Sequence, residues 1–371
     1  MKDLFYRVAT DDIRGPLIGI LKLFFLALSF VYTAIVATSV WLYRNGVLKQ
    51  HRLDRPVISV GNITVGGTGK TPLVIKIAQI CKENKLKPAI LTRGDMGRGP
   101  GSSSRESDEA AMMREVLGDV PVLAGADRVK NAEEFLGNNQ ADIFILDDGF
   151  QHWRLARDLD IVAVDAVNPF GNGQLLPRGI LREPLATLRR AGLLVLTRTD
   201  MEQAQVGSIR KRLAMIGCAQ PIIETIHRPV RLVDLKTGQS RGLGTLAGLD
   251  VCAFCSLGAP AAFTATLRQL GAKIQKAFNF VDHYVYNTKD IRSILEFCRP
   301  NQTGIVVTTQ KDAVKLADLR DEFRQIKDIE FLALYIELAA RDGGGEDTFV
   351  RRVLDVATTK NGGKSAAQRQ P

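Results

Sequence analysis

Short apolar runs bounded by glycine, proline and polar residues alternate along this chain with stretches whose apolar positions recur at helical spacing. Val57–Val60, Pro88–Leu91, Val120–Leu123, Ile143–Leu146, Ile161–Val164 and Leu193–Leu196 read as buried strands. Helices are expected from about Lys70, over 108–117 and over 128–139. This is the rhythm of a parallel sheet flanked by helices. It resumes with strands Val251–Leu257, Lys273–Phe278, Gly304–Thr308 and Ile329–Ile336, and with helices over 260–270, 288–298 and from near Lys311. The pattern predicts a P-loop α/β domain over 56–220 and a second, smaller α/β domain over 246–358. Residues 221–245, rich in Arg, Thr and Gly, read as a connector, and the polar stretch 359–371 as a disordered tail.

One stretch breaks the rhythm. Leu23–Tyr43 contains no charged residue. At about 1.5 Å per residue such a helix matches the roughly 30 Å hydrocarbon core of a bilayer. Trp41 and Tyr43 sit at one end, where aromatic side chains favour the interface, and Arg44, Lys49, Arg52 and Arg55 follow. The run is too long for a secretory signal, and no small-residue cleavage pattern follows it. Residues 1–55 are therefore expected to form a membrane-associated N-terminal helix with its flanks, with spanning and leaflet-embedded placements both open.

Composition changes this picture little. The formal charge of +10 favours anionic partners without choosing among nucleic acid, acidic lipid and phosphorylated substrates. The five cysteines fit a reducing compartment better than a disulfide framework. Cys252 and Cys255 lie on one expected strand, where positions three apart face opposite ways, so they read as core residues.

Chemistry enters with Val60-Gly-Asn-Ile-Thr-Val-Gly-Gly-Thr-Gly-Lys-Thr71, which follows a strand and opens a helix. In a Walker A loop the glycines let backbone N–H groups curve around phosphates, and the helix N-terminus adds partial positive charge. Thr64, Val65, Gly66, Gly67, Thr68, Gly69, Lys70 and Thr71 are the expected ATP-binding residues, with Thr64 where a first glycine is usual. Lys70 would reach the β- and γ-phosphates, and the Thr71 hydroxyl would hold magnesium. Ile143-Phe-Ile-Leu-Asp-Asp148 ends a buried strand in two carboxylates and reads as Walker B, with Asp147 and Asp148 sharing metal and loop-orienting roles.

Further words occur in order: Leu91-Thr-Arg-Gly94, Asp147-Asp-Gly-Phe-Gln-His152, Leu176-Pro-Arg-Gly-Ile-Leu-Arg-Glu-Pro184, Asp282-His-Tyr284 and Thr308-Thr-Gln-Lys-Asp-Ala-Val-Lys-Leu316. Together with the loop, they resemble the tetraacyldisaccharide 4′-kinase family, the lipid A kinases of Gram-negative bacteria, over nearly the whole chain. The resemblance implies ATP-dependent phosphorylation of the 4′-hydroxyl of tetraacyldisaccharide 1-phosphate, giving the bis-phosphorylated lipid A precursor. It implies two α/β/α domains with the active site in the cleft between them, and the same substitution at the Thr64 position. Asp95-Met96 and Gln310 depart from the family's usual residues.

Residue by residue, the resemblance makes Asp108 the catalytic base, with His283 beside it. Read alone, Asp108 would be a helix N-cap and Glu109 a first-turn acid. Glu183 would add to the metal shell, and His152 would support the Walker B turn by hydrogen bonding; the guanidinium forks of Arg178 and Arg182 suit phosphate and would either neutralise developing phosphoryl charge or bind the 1-phosphate of the substrate. Arg189 and Arg190 look like a solvated helix face. The expected partners are ATP with magnesium, the lipid acceptor and the cytoplasmic face of the bacterial inner membrane, with no nucleic acid and no obligate protein partner. The competing reading is a membrane-associated P-loop ATPase or GTPase switch; Thr197-Arg-Thr-Asp200 only distantly approximates the base-reading word that a GTPase switch needs.

Overall fold

The computed structural model describes residues 7–13, 15–94, 107–281 and 284–367. Its strands are β1 Val57–Gly61, β2 Pro88–Thr92, β3 Val122–Ala124, β4 Ile143–Asp147, β5 Leu159–Asp165 and β6 Leu193–Thr197. They continue as β7 Ile222–Asp234, β8 Ser240–Arg241, β9 Asp250–Cys255, β10 Lys273–Asn279, β11 Ile305–Thr309 and β12 Glu330–Ala340. The α-helices are α1 Pro16–Arg44, α2 Lys70–Glu83, α3 Asp108–Leu117, α4 Arg128–Asn138 and α5 Gln203–Ile216. They continue as α6 Pro260–Gln269, α7 Thr288–Cys298, α8 Gln310–Lys315, α9 Arg320–Gln325 and α10 Gly343–Ala367.

The chain forms two compact units that are not contiguous in sequence. The first takes residues 1–105, 117–226 and 339–371; the second takes 106–116 and 227–338. A linear division at residue 246 misses this exchange, because the segment 106–116 belongs with the second unit and α10 returns to the first. Strand β7 starts in one unit and ends in the other, so the stretch expected to be a connector is a strand. Helix α10 continues to Ala367, into the stretch read as a disordered tail.

In the first unit the strand order is β3-β2-β4-β1-β5-β6-β7, all parallel. Strands β1, β2, β4 and β6 are buried at every position, which is why they read as unbroken apolar runs. Strand β3 starts only at Val122, because Pro121 has no N–H for the ladder and contributes just its carbonyl, to Ile90 N at 2.8 Å. The register Val60↔Asp147 sets the end of β1 beside the end of β4. Both phosphate-site words therefore leave the same edge of the sheet, where α/β folds bind ligands.

The second unit carries β10-β9-β11-β12, again parallel. Its two faces are separate clusters. Cys252 packs with Phe254, Ile294 and Phe331, whereas Cys255 packs with Val251, Ala253 and Val307. The C-x-x-C pair is thus split across the sheet, as strand alternation requires.

Helix α1 lies along the first unit. It starts at Pro16, a residue suited to a first helical turn, and ends at Arg44. Lys22 pairs with Asp11 at 2.6 Å, Ser29 and Tyr32 donate to carbonyls of the 175–182 segment, and the Tyr43 ring stacks on Trp153 at 6.5 Å. On the other side, Leu17, Ile20, Leu23, Phe24, Phe30, Val31, Ile35 and Trp41 are exposed.

Candidate active site

The loop after β1 is shaped by two glycines in left-handed backbone, Gly66 at φ +120° and Gly69 at φ +81°, and α2 begins at Lys70. Thr64 replaces a glycine without strain because it is paired: it bridges antiparallel to Leu181, and Val65 N donates to Ile180 O at 2.8 Å. Two loop carbonyls are also tied down. Thr197 Oγ1 donates to Thr68 O at 2.9 Å, and Arg198 Nη2 to Gly67 O at 3.3 Å. Arg198 is itself held by buried Asp165, Nε to Oδ1 at 2.9 Å.

The two carboxylates of the acidic pair have different partners. Asp147 ends β4, is buried, and accepts from Thr92 Oγ1 at 3.2 Å. Asp148 turns out of the strand at φ +48°, a conformation Asp tolerates better than most residues. It accepts from Arg182 Nη1 at 2.9 and 3.0 Å, and Lys70 Nζ lies 3.4 Å away. Burial pushes the Asp148 carboxyl up, but Lys70 and Arg182 outweigh it and hold the group below the usual carboxylate range. Lys70 also donates to Asn62 Oδ1 at 3.3 Å, and Gln151 Nε2 donates to Asn62 O at 2.9 Å.

This turn sits tight on β1. A Cβ on Gly61 would lie 2.5 Å from Phe150 Cβ, and one on Gly149 would lie 2.6 Å from Leu146 Cγ. Two motif glycines are therefore demanded by packing under the acidic pair. His152 supports the turn through its backbone: its N–H donates to Gly149 O at 2.9 Å and its carbonyl accepts from Arg157 at 2.6 Å. Its ring stands 3.4 Å from Arg128 Nη1. Burial, then the charges of Arg128, Arg157 and Arg154, drives the imidazole pKa down to about 4.

Three expected site residues are engaged differently. Glu183 is 1% exposed and paired with Arg190, whose guanidinium lies 3.5 Å over the Phe150 ring. Its carboxylate is held by that cation. Arg190 is correspondingly a part-buried partner and not a solvated helix face; Arg189, one residue earlier in the same 3-10 turn, is exposed. Arg178 pairs with Asp11 at 2.9 Å, away from the acidic pair that Arg182 joins.

In the second unit, Asp108 is the first helical residue of α3, and the cap is Ser107, whose Oγ accepts from Ala110 N at 3.2 Å. Lys315 Nζ lies 3.3 Å from Asp108 and donates to Ser256 Oγ at 2.5 Å. Asp312, fully buried, accepts from Ser256 N at 3.1 Å and from Thr309 Oγ1 at 2.7 Å, so this Lys-Asp word is structural. Lys311 pairs with Glu109 at 3.3 Å. His283 lies outside the described residues.

Sequence reading missed Arg128, which feels the charges of both Asp147 and Asp148, and the Asp165–Arg198 brace. Neither sits in a recognisable word except Arg198, in Thr197-Arg-Thr-Asp200. Among the described residues no group of three or more His, Cys, Asp or Glu is placed to hold a metal ion.

The family model for tetraacyldisaccharide-1-P 4′-kinase matches residues 21–356. A tetraacyldisaccharide 4′-kinase of Syntrophus aciditrophicus is 37% identical over 332 residues, covering 82% of this chain and 86% of that protein. The corresponding protein of Elusimicrobium minutum is 32% identical over 376 residues, covering 97% and 98%. Among solved structures, LpxK from Aquifex aeolicus in complex with ATP superposes with a TM-score of 0.70 at 30% identity, over 90% of this chain and 99% of that one.

Proposed function

The chain belongs to the tetraacyldisaccharide-1-P 4′-kinase family, and on that premise we propose how its residues move the γ-phosphate of ATP to the 4′-hydroxyl of tetraacyldisaccharide 1-phosphate. It is a lipid kinase of lipid A biosynthesis, and the nucleotide-switch reading is not favoured. The observation that carries the residue assignment is the Lys70–Asp148–Arg182 cluster at the adjoining ends of β1 and β4.

Residues 64–71 cradle the triphosphate, and Lys70 draws charge from the transferring group. Thr71, Asp147 and Asp148 are the groups that would hold magnesium, which when bound neutralises charge on the phosphate oxygens. Arg182 fixes Asp148. Arg178 and Arg182, expected to meet substrate phosphate, have carboxylate partners in Asp11 and Asp148. Asp108 accepts the proton of the attacking hydroxyl, with His283 its partner by family resemblance. Such transfer depends mainly on positioning and electrostatics.

The acceptor is a lipid, and the proposed seat of the enzyme is the cytoplasmic leaflet of the inner membrane, with α1 lying along it. Support comes from the helix's two stripes. One is docked on the first unit from Lys22 to Tyr43; the other is apolar and exposed. A spanning helix would carry its midpoint, Ser29, and the charged segment bonded to it into hydrocarbon, where charge and irregular backbone are costly. Arg44, Lys49 and Arg52 suit an anionic headgroup layer.

The test is transfer of label from γ-labelled ATP to tetraacyldisaccharide 1-phosphate by detergent-solubilised protein with magnesium. Labelled lipid with the wild type and none with Lys70→Ala supports the assignment. ATP consumption without labelled lipid would overturn the acceptor.

A further inference from the structure

Ser29 and Tyr32 are hydroxyl residues in the middle of an apolar helix, and both face the protein. Ser29 is 5% exposed; its Oγ lies 2.9 Å from both Leu175 O and Phe25 O, the latter in its own helix, and accepts from Arg178 N at 3.0 Å. One turn on, Tyr32 Oη donates to Arg182 O at 3.0 Å. The two hydroxyls thus bracket the segment Leu175–Arg182.

That segment's other edge is bonded to the phosphate loop. Ile180 O accepts from Val65 N at 2.8 Å, Leu181 bridges Thr64, and Arg182 N donates to Ile63 O at 2.7 Å. From the same segment the Arg182 side chain reaches Asp148, which lies 3.4 Å from Lys70. A continuous hydrogen-bonded path therefore runs from α1 through Leu175–Arg182 to the phosphate loop. A helix serving lipid attachment alone has no use for hydroxyls there, since apolar side chains pack without desolvating a polar group.

We infer that Ser29 and Tyr32 are positioning residues for phosphoryl transfer: the helix seated in the lipid holds Leu175–Arg182 against the phosphate loop and so keeps Arg182 on Asp148. Turnover then depends on how α1 is docked, beyond its part in capturing lipid. This rests on the assignment of Lys70 and Asp148 to the transfer site.

The experiment compares full-length wild type, Tyr32→Phe, Ser29→Ala, Arg182→Gln and Tyr32→Phe/Arg182→Gln in lipid–detergent micelles at saturating ATP. Tyr32→Phe removes one oxygen and should lower kcat roughly three- to tenfold, the scale of one hydrogen bond. KM for the lipid should stay within about twofold, and sedimentation with phosphatidylglycerol vesicles should not change. The double variant should lose no more than Arg182→Gln alone, because the two changes act on one route. Ser29→Ala, assayed well below its melting temperature, should reproduce the kcat loss independently. Wild-type kcat in Tyr32→Phe, a loss confined to lipid KM, or full additivity in the double variant would overturn the inference alone. An inactive wild type, or full activity in Arg182→Gln, would overturn the site assignment and the inference with it.

Discussion

Arg190 grips Glu183 through both of its terminal nitrogens while its guanidinium lies on the face of Phe150. The pair is almost out of water and sits directly behind the Asp147–Asp148 turn, where Arg190 also donates to Phe150 O at 2.6 Å. Arg190→Ala leaves a buried carboxylate uncompensated, and a loss of about 3–5 kcal/mol in urea unfolding is expected. Glu183→Gln should also be destabilised, yet retain the wild-type dependence of kcat on magnesium concentration. A weakened magnesium response in a stably folded Glu183→Gln would restore Glu183 to the metal shell.

Lys70 stands between Asn62 and Asp148. Lys70→Ala should cost on the order of 10²–10³ in kcat, the scale seen when one donor to developing charge is removed. Lys70→Arg keeps the charge with a different geometry and should recover only part of it. Single-turnover transfer at saturating ATP separates this loss from weaker nucleotide binding.

Asp108 faces the nearly buried ammonium of Lys315. If it accepts the hydroxyl proton, Asp108→Asn should lower kcat by about 10²–10⁴. ATP affinity, followed by titration with a fluorescent nucleotide, should remain within about twofold of wild type. Loss of nucleotide binding in this variant would move Asp108 out of the base role.

His152 is half-buried among arginines with its pKa depressed to about 4, against 6.5 for an exposed imidazole. The unfolded chain therefore binds the proton more readily than the folded one between these values. The stability from the neutral ring is complete above the unfolded pKa and is lost as pH falls towards the folded one. Melting temperature should drop between about pH 7 and pH 4.5, and His152→Gln should flatten that part of the profile. An unchanged slope in the variant would exclude the ring as its source.

Much of this was legible in the residue pattern for definite reasons. Helices α3 and α7 match their expected limits because each begins on a polar cap and buries one apolar stripe. The Walker words were legible because chemistry fixes their spacing, and parallel pairing then brings them together. Strand β7 was hidden because its buried residues, Ile223, Thr225, Leu232 and Asp234, lie towards its two ends, around an unburied middle that holds His227, Arg228, Pro229 and Arg231, so composition resembles a loop. Arg190 was hidden because its partners, Glu183 and Phe150, meet it through tertiary contact and a short 3-10 turn. Ser29 and Tyr32 were hidden by their neighbours: hydropathy averages over a window, and two hydroxyls vanish in it. The interleaving of the units leaves no local trace in sequence.

Because α10 completes the first unit, the chain has an order of birth. Phe349, Val353 and Ala357 of that helix are buried, and Glu346 pairs with Lys76 on α2 at 2.6 Å. Ribosomes add about 5–20 residues per second, so the apolar helix α1 emerges tens of seconds before the segment that covers α2. A nascent chain arrested after Ala340 should already sediment with membranes while failing to retain an ATP analogue, and retention by that chain would refute the ordering. With α1 seated in lipid as proposed, the enzyme would reach its lipid surface before it could handle nucleotide.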